Sequence, residues 1–237
     1  MIKSKIFPML LGASLAFAGA FAHSQDLNEA DVLENTSNQV TAEFSENIKK
    51  LKNDLGDGFF TNQILSDEDM ETQDFIIYAL DKVYFSKKTL TKEEKFELYS
   101  EFVRNIIRGY NDAAETIWEY SLNNNDFNID LSYYSKSNIT PLMGAAISTL
   151  EGGNVEYAIK LIERGANPSQ TTLKNNINTV SLAATKDSHK VLTTLIISGA
   201  NPMIKDDMGL TAYDYAKKHE SNKSLLILLN LFINATE

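Results

Sequence analysis

Residues 199–216 read GANPMIKDDMGLTAYDYA, and the first four letters of this stretch also stand at Gly165–Pro168, thirty-four positions earlier. The recurrence extends beyond the tetrapeptide. Each copy closes an amphipathic run, VEYAIKLIERGANP and HKVLTTLIISGANP, whose apolar residues recur at helical spacing. Gly165 and Gly199 follow the last turn, where a residue free to adopt positive φ ends a helix.

A second, shorter helix is expected upstream of each long one: NITPLMGAAIS at 138–148, NINTVSLAATK at 176–186 and GLTAYDYAKKH at 209–219. Each opens on a residue able to cap free N–H groups, Thr140, Asn178 or Thr211, and Pro141 takes the first helical position, where a missing N–H costs nothing. Ala145–Ala146, Ala183–Ala184 and Ala216 leave room for neighbouring helices to approach closely.

A unit of short helix, turn, longer helix, Gly-Ala-Asn and extended loop, repeated at about 33 residues, resembles the ankyrin repeat. The resemblance covers about three units in residues 128–237 and implies an all-α, ankyrin-type helical solenoid with short hairpin loops. The family's T-P-L-H is represented by TPLM at Thr140–Met143, NTVS at Asn178–Ser181 and TAYD at Thr211–Asp214. None keeps the histidine, so the hydrogen bonds at that turn are expected to differ. The spacing departs once, through four extra residues around Ser148–Gly152, at the end of an inner helix.

Upstream, residues 40–127 read as an N-terminal helical cap region. Val40, Phe44, Ile48, Leu51 and Leu55 form one apolar stripe ended by Gly56. Further helices are expected over 67–85, from the capping box Thr91–Glu94 through Ile107, and over 112–122, with 90–130 continuous with the solenoid. Residues 23–39 are a polar, acidic leader. Residues 1–22, with Lys3 and Lys5 before an apolar run ending Ala20-Phe21-Ala22, read as a secretory signal peptide cut before His23. The expected compartment is periplasmic or extracellular, with no stable membrane anchor after cleavage.

A formal net charge of -10 disfavours a phosphate backbone, so nucleic acid is not the expected partner. Cysteine is absent, which removes disulfides, thiol nucleophiles and a lipidated cysteine. The three histidines, His23, His189 and His219, have no metal-ligand spacing, and no phosphate-cradling glycine loop or nucleophile elbow is present. The acidic run Ser66–Glu71 lacks the alternating ligands of a calcium loop and suits a helix N-terminus instead. The reading is therefore of a non-catalytic protein without metal or cofactor.

The ankyrin resemblance implies that a partner protein is gripped by hairpin finger tips and by exposed inner-helix positions. Carried onto this sequence, those positions are Lys136, Ser137 and Ile139; Ile147 and Ser148; Lys174, Asn175 and Ile177; Thr185 and Lys186; Asp207, Met208 and Leu210; Lys218 and His219. Tyr133 and Tyr134 either anchor a partner in the first finger or pack against the cap. In the last helix, Leu226 and Leu231 fall off the stripe made by Leu225, Leu228, Leu229 and Phe232, a pattern open to self-association. The alternatives weighed beside a binding module are an inhibitor or immunity protein against a toxic enzyme, an enzyme using the acidic helical region, and a self-associating scaffold.

Overall fold

The computed structural model describes residues 66–234, with side chains described through residue 230. These residues form an all-α structure of nine α-helices: α1 (Asp67–Leu80), α2 (Lys92–Arg108), α3 (Asn111–Asn123), α4 (Pro141–Ala146), α5 (Val155–Glu163), α6 (Thr179–Thr185), α7 (His189–Ile197), α8 (Ala212–Lys218) and α9 (Asn222–Asn234). A π-helical turn, Asp81–Phe85, extends α1. Among the described residues the one departure from helix and loop is an isolated antiparallel bridge between Thr171 and Asn178. The stripe at 40–55, the leader and the signal sequence lie outside the described residues.

Local chemistry sets the helix starts. Thr140, Asn178 and Thr211 stand in extended conformation before α4, α6 and α8, and each side-chain oxygen accepts from the backbone N–H three residues on. At α8 Asp214 accepts from the backbone N–H and hydroxyl of Thr211, closing a capping box. Thr91 and Glu94 form another at α2.

The turn from short to long helix repeats closely. The N–H of Ser188 reaches the carbonyl of Ala183 at 2.9 Å, and that of Ser221 reaches Ala216 at 2.9 Å, each across five residues. Asn154 and Ala145 make the same bond at 3.0 Å across nine, which accommodates the four-residue insertion. Tyr110 and Asn105 make it at 3.0 Å across five, so α2 and α3 form a helix pair of the same kind although α2 is far longer. The residue before the donor has positive φ in all four: Gly109, Gly153, Asp187 and Glu220.

The pairs stack in chain order. The short helices α4, α6 and α8 pack side by side with α2 at one end, while α5, α7 and α9 pack on one another behind them and α1 lies against α3. The layer between is apolar: Leu142, Ala145, Val155, Leu161, Val180, Ala183, Leu192, Leu195, Ala212 and Leu228 are all buried. Alanine in the short helices permits this close approach, and burying each larger side chain contributes roughly 1.5–3 kcal/mol. No helix among the described residues is long and apolar enough to cross a membrane.

Candidate protein-binding surface

Three loops, each leading into a short helix, project along one edge. All three are closed by a backbone hydrogen bond of the same kind, Ser135 N–H to Ile139 O at 2.9 Å, Thr172 N–H to Ile177 O at 2.9 Å and Asp206 N–H to Leu210 O at 3.0 Å. The first and third add a tighter one, Asn138 N–H to Ser135 O and Gly209 N–H to Asp206 O. The middle loop holds one residue more than its neighbours, and both Asn175 and Asn176 take positive φ to fit it, where the others use Asn138 and Gly209. Asparagine tolerates that region better than most residues, which makes the longer tip accessible.

The loops are tied to each other as well as closed. The hydroxyl of Tyr134 donates to the carbonyl of Thr171 at 2.5 Å, and Gln170 donates to the carbonyl of Ser132 at 2.7 Å. The N–H of Asp207 donates to Asn175 O at 3.0 Å, and Asn176 donates to the Asp207 carboxylate at 2.9 Å. Neighbouring tips therefore hold a fixed relative position, which lowers the ordering cost of binding.

Against this frame the expected site residues divide. Lys174 and Met208 are exposed at adjacent tips, Met208 by 65%, and Leu173 beside them is 64% exposed. Ser137, Lys186, Lys218 and His219 are exposed, and Asp207 is exposed with its carboxylate on Asn176. Lys136 is exposed but paired with Glu97, and its N–H donates to Ser100. Tyr133 packs its ring edge-on to Tyr99 and Phe96 and stands 56% exposed.

The remaining expected residues are held by the fold. Ile139, Ile177 and Leu210 pack their side chains against the core. Tyr134 is committed to Thr171, Thr185 donates to the carbonyl of Ser181, and Asn175 serves through its backbone. Ser148 is buried, with its hydroxyl donated to Ile107 O at 2.8 Å, so that hydroxyl satisfies the end of α2 rather than facing outward. The exposed part of the set is accordingly narrower than the whole: Tyr133, Lys136 and Ser137 on the first loop, the tips of the second and third loops, and the ends of α6 and α8.

At the opposite ends of the short helices the insertion forms a bracket. Thr149 N–H reaches Ile107 O at 2.9 Å, while Gly152 O accepts from Lys190 N and Val191 N at the start of α7. It bounds a cleft of about 330 Å³ lined by Ile147, Leu150, Glu151, Lys186, His189 and Lys223 among others. Half-buried Ile147 lies on this side. Burial pushes the His189 imidazole below its ordinary pKa, and Lys223 pairs with Glu151 at 2.7 Å.

Carboxylates near the third loop are largely committed internally. Asp206 is buried, accepts from Met208 N, Leu210 N and the Tyr215 hydroxyl, and is held below the usual carboxylate range by the tyrosine first. Asp187 caps α9 through Ser224 N at 2.8 Å. Among the described residues no cluster of His, Asp or Glu has the arrangement of a metal site. Leu173 was not among the expected positions; counted from the closing donors Ser135, Thr172 and Asp206, it stands where Lys136 and Asp207 stand in the neighbouring loops, and all three are exposed. No protein-family model matches the chain, and no curated protein matches it significantly.

Proposed function

We propose that the chain is a non-catalytic binding module of the ankyrin-repeat kind, exported to the periplasm or beyond the cell. It holds another protein on the loop tips around Lys174 and Met208 and along the ends of α6 and α8. The observation that carries this reading is the tie between Asp207 and Asn175: two exposed, partly apolar tips are locked together at the backbone. A rigid apolar tip beside polar groups suits protein recognition, where a few well-ordered side chains dominate affinity. Repeated helix pairs with closing turns at Gly153, Asp187 and Glu220 support the repeat assignment.

A narrower form is an inhibitor or immunity protein against a toxic enzyme. Residues 66–130 carry fifteen Asp and Glu against seven Lys and Arg, a surplus that would steer a basic enzyme toward the chain.

The test is affinity purification of the full chain from its native envelope, wild type beside Lys174→Glu/Met208→Ala. Specific co-purifying protein lost in the tip variant supports the reading. Equal recovery with both, or none with either, refutes it.

A further inference from the structure

The two ends of the stack differ in charge and in what they leave uncovered. At the C-terminal end, Lys217 occupies the position that Ala146 and Ala184 hold in the preceding short helices, by the spacing of the caps Thr140, Asn178 and Thr211. Both alanines are buried, whereas Lys217 is exposed. Lys205 likewise stands where Tyr134 stands in the first loop, and Tyr134 uses that position to reach the next loop. Lys205 is exposed, and no further loop follows it among the described residues. Leu226 on α9 is 49% exposed at the position of half-buried Ile159 on α5. Among the described residues nothing covers the surface that joins one unit to the next here, and two lysines and a leucine stand exposed on it. Neither lysine makes a salt bridge among the described residues, and both act on the same carboxylate, Asp214, which is already committed to Thr211.

At the other end, α1 presents an outward stripe at alternating three- and four-residue spacing: Glu68, Glu71, Phe75, Tyr78 and Lys82. Phe75 is 70% and Tyr78 61% exposed, so two large rings lie in water between Glu71 and Lys82. Lys82 is drawn over the Tyr78 ring at 5.3 Å, which leaves the glutamate end of the stripe acidic.

We infer that α1 of one copy docks on the open C-terminal end of a second copy, placing Phe75 and Tyr78 against Leu226 and Glu68 and Glu71 beside Lys205 and Lys217. The contact supplies each end with what it lacks: a helix to continue the stack, and an apolar, basic surface to cover exposed rings. Because the two surfaces differ, the contact is head-to-tail and does not close on a pair. It does not depend on which protein the loop tips hold.

Sedimentation velocity of the full chain tests this, from low concentration to about 500 μM, a range that populates contacts of micromolar strength. Wild type should sediment faster as concentration rises, without stopping at a dimer, and less so in high salt. Lys205→Glu/Lys217→Glu and Phe75→Asp/Tyr78→Asp should each remain monomeric alone with unchanged far-ultraviolet dichroism. Their equimolar mixture should form a 1:1 dimer, because each retains the end that the other has lost. A monomeric wild type over the whole range overturns the proposal. So does association of either variant with itself, which would show a symmetric contact, or a mixture that stays monomeric.

Discussion

The guanidinium of Arg164 lies 4.4 Å from the centre of the Trp118 ring and pairs with Glu115 on the same helix, α3. Lys160 approaches Glu115 as well, at 3.7 Å. This cluster fastens the long first pair, α2 and α3, to the unit that carries the inserted bracket. Arg164→Ala removes the ring contact and leaves Glu115 short of a partner, so it should destabilise the fold by about 1–3 kcal/mol. Trp118 is the sole tryptophan, and its emission should shift to the red as its cover is lost. Arg164→Lys should recover only part of the loss, since an ammonium cannot stack flat on the ring. Thermal unfolding followed at the tryptophan band measures both.

A second expectation concerns the glycines that share positive φ. At Gly153 an added Cβ would meet Val191 Cγ2 at 2.6 Å and Ser188 Cβ at 2.9 Å, whereas at Gly199 nothing stands within 4 Å. Gly199→Ala should thus cost only the backbone term, about 1–2 kcal/mol. Gly153→Ala adds crowding of the α7 start, about 1–3 kcal/mol more. Chemical denaturation of the two variants should rank them in that order. The reverse order would mean that the long-helix ends, rather than the turns between helices, limit stability.

Tyr215 and Asp206 set a pH dependence of opposite sign at the two extremes. The Tyr215 hydroxyl donates to the carboxylate at 2.5 Å. Asp206 is held below its ordinary range, so its contribution is present above the unfolded carboxylate value, about 3.9, and is lost as pH falls through the lower folded value. Burial and the same carboxylate push Tyr215 up to about 12. Its contribution is present below the unfolded value, about 10, and is lost as pH rises toward the folded one. Tyr215→Phe should melt a few degrees lower at neutral pH, and that gap should narrow below pH 4 as the carboxylate is protonated. Calorimetry from pH 2 to 7 on both proteins decides it. A gap independent of pH would place the tyrosine's effect in packing alone.

Much of this arrangement was legible in the sequence because it rests on local chemistry. The caps Thr140, Asn178 and Thr211, the box at Thr91 and Glu94, and the glycines at 165 and 199 act within one helical turn, so residue type alone identifies them. The four extra residues around Ser148–Gly152 could also be counted. Their role could not be, since Ser148 and Thr149 find Ile107 some forty residues away, and nothing local marks that partner. The same holds for Tyr134, whose hydroxyl is claimed by another loop, and for Asp187 and Glu220, which take the positive-φ position held by glycine at 109 and 153. That 90–130 continues the stack was expected from the sequence, but the likeness of the α2–α3 turn to those of the later pairs was not. It lies in one backbone bond, Tyr110 to Asn105, and in Gly109, while the length of α2 disguises it.

The bracket formed by the insertion gives the last expectation. Ser148 donates to Ile107 O at 2.8 Å, Thr149 N–H reaches the same carbonyl, and Asn154 donates to Ile106 O at 2.9 Å and to Asn111 at 2.8 Å. Two carbonyls at the end of α2 and one side chain at the start of α3 are thus satisfied from the following unit. Leu150 completes the seat, with its side chain where a Cβ on Gly109 would fall, at 2.7 Å. Asn154→Ala leaves a buried carbonyl short of a donor and removes the cap of α5, so it should cost about 2–4 kcal/mol, the sum of two such losses. Ser148→Ala should cost less, about 1 kcal/mol, because Thr149 still reaches Ile107. Hydrogen exchange locates the effect: amides at the end of α2 should lose protection in both variants, while those of α8 and α9 keep theirs. Equal loss across all helices would show that the stack opens as one unit and that the bracket is not a separate joint.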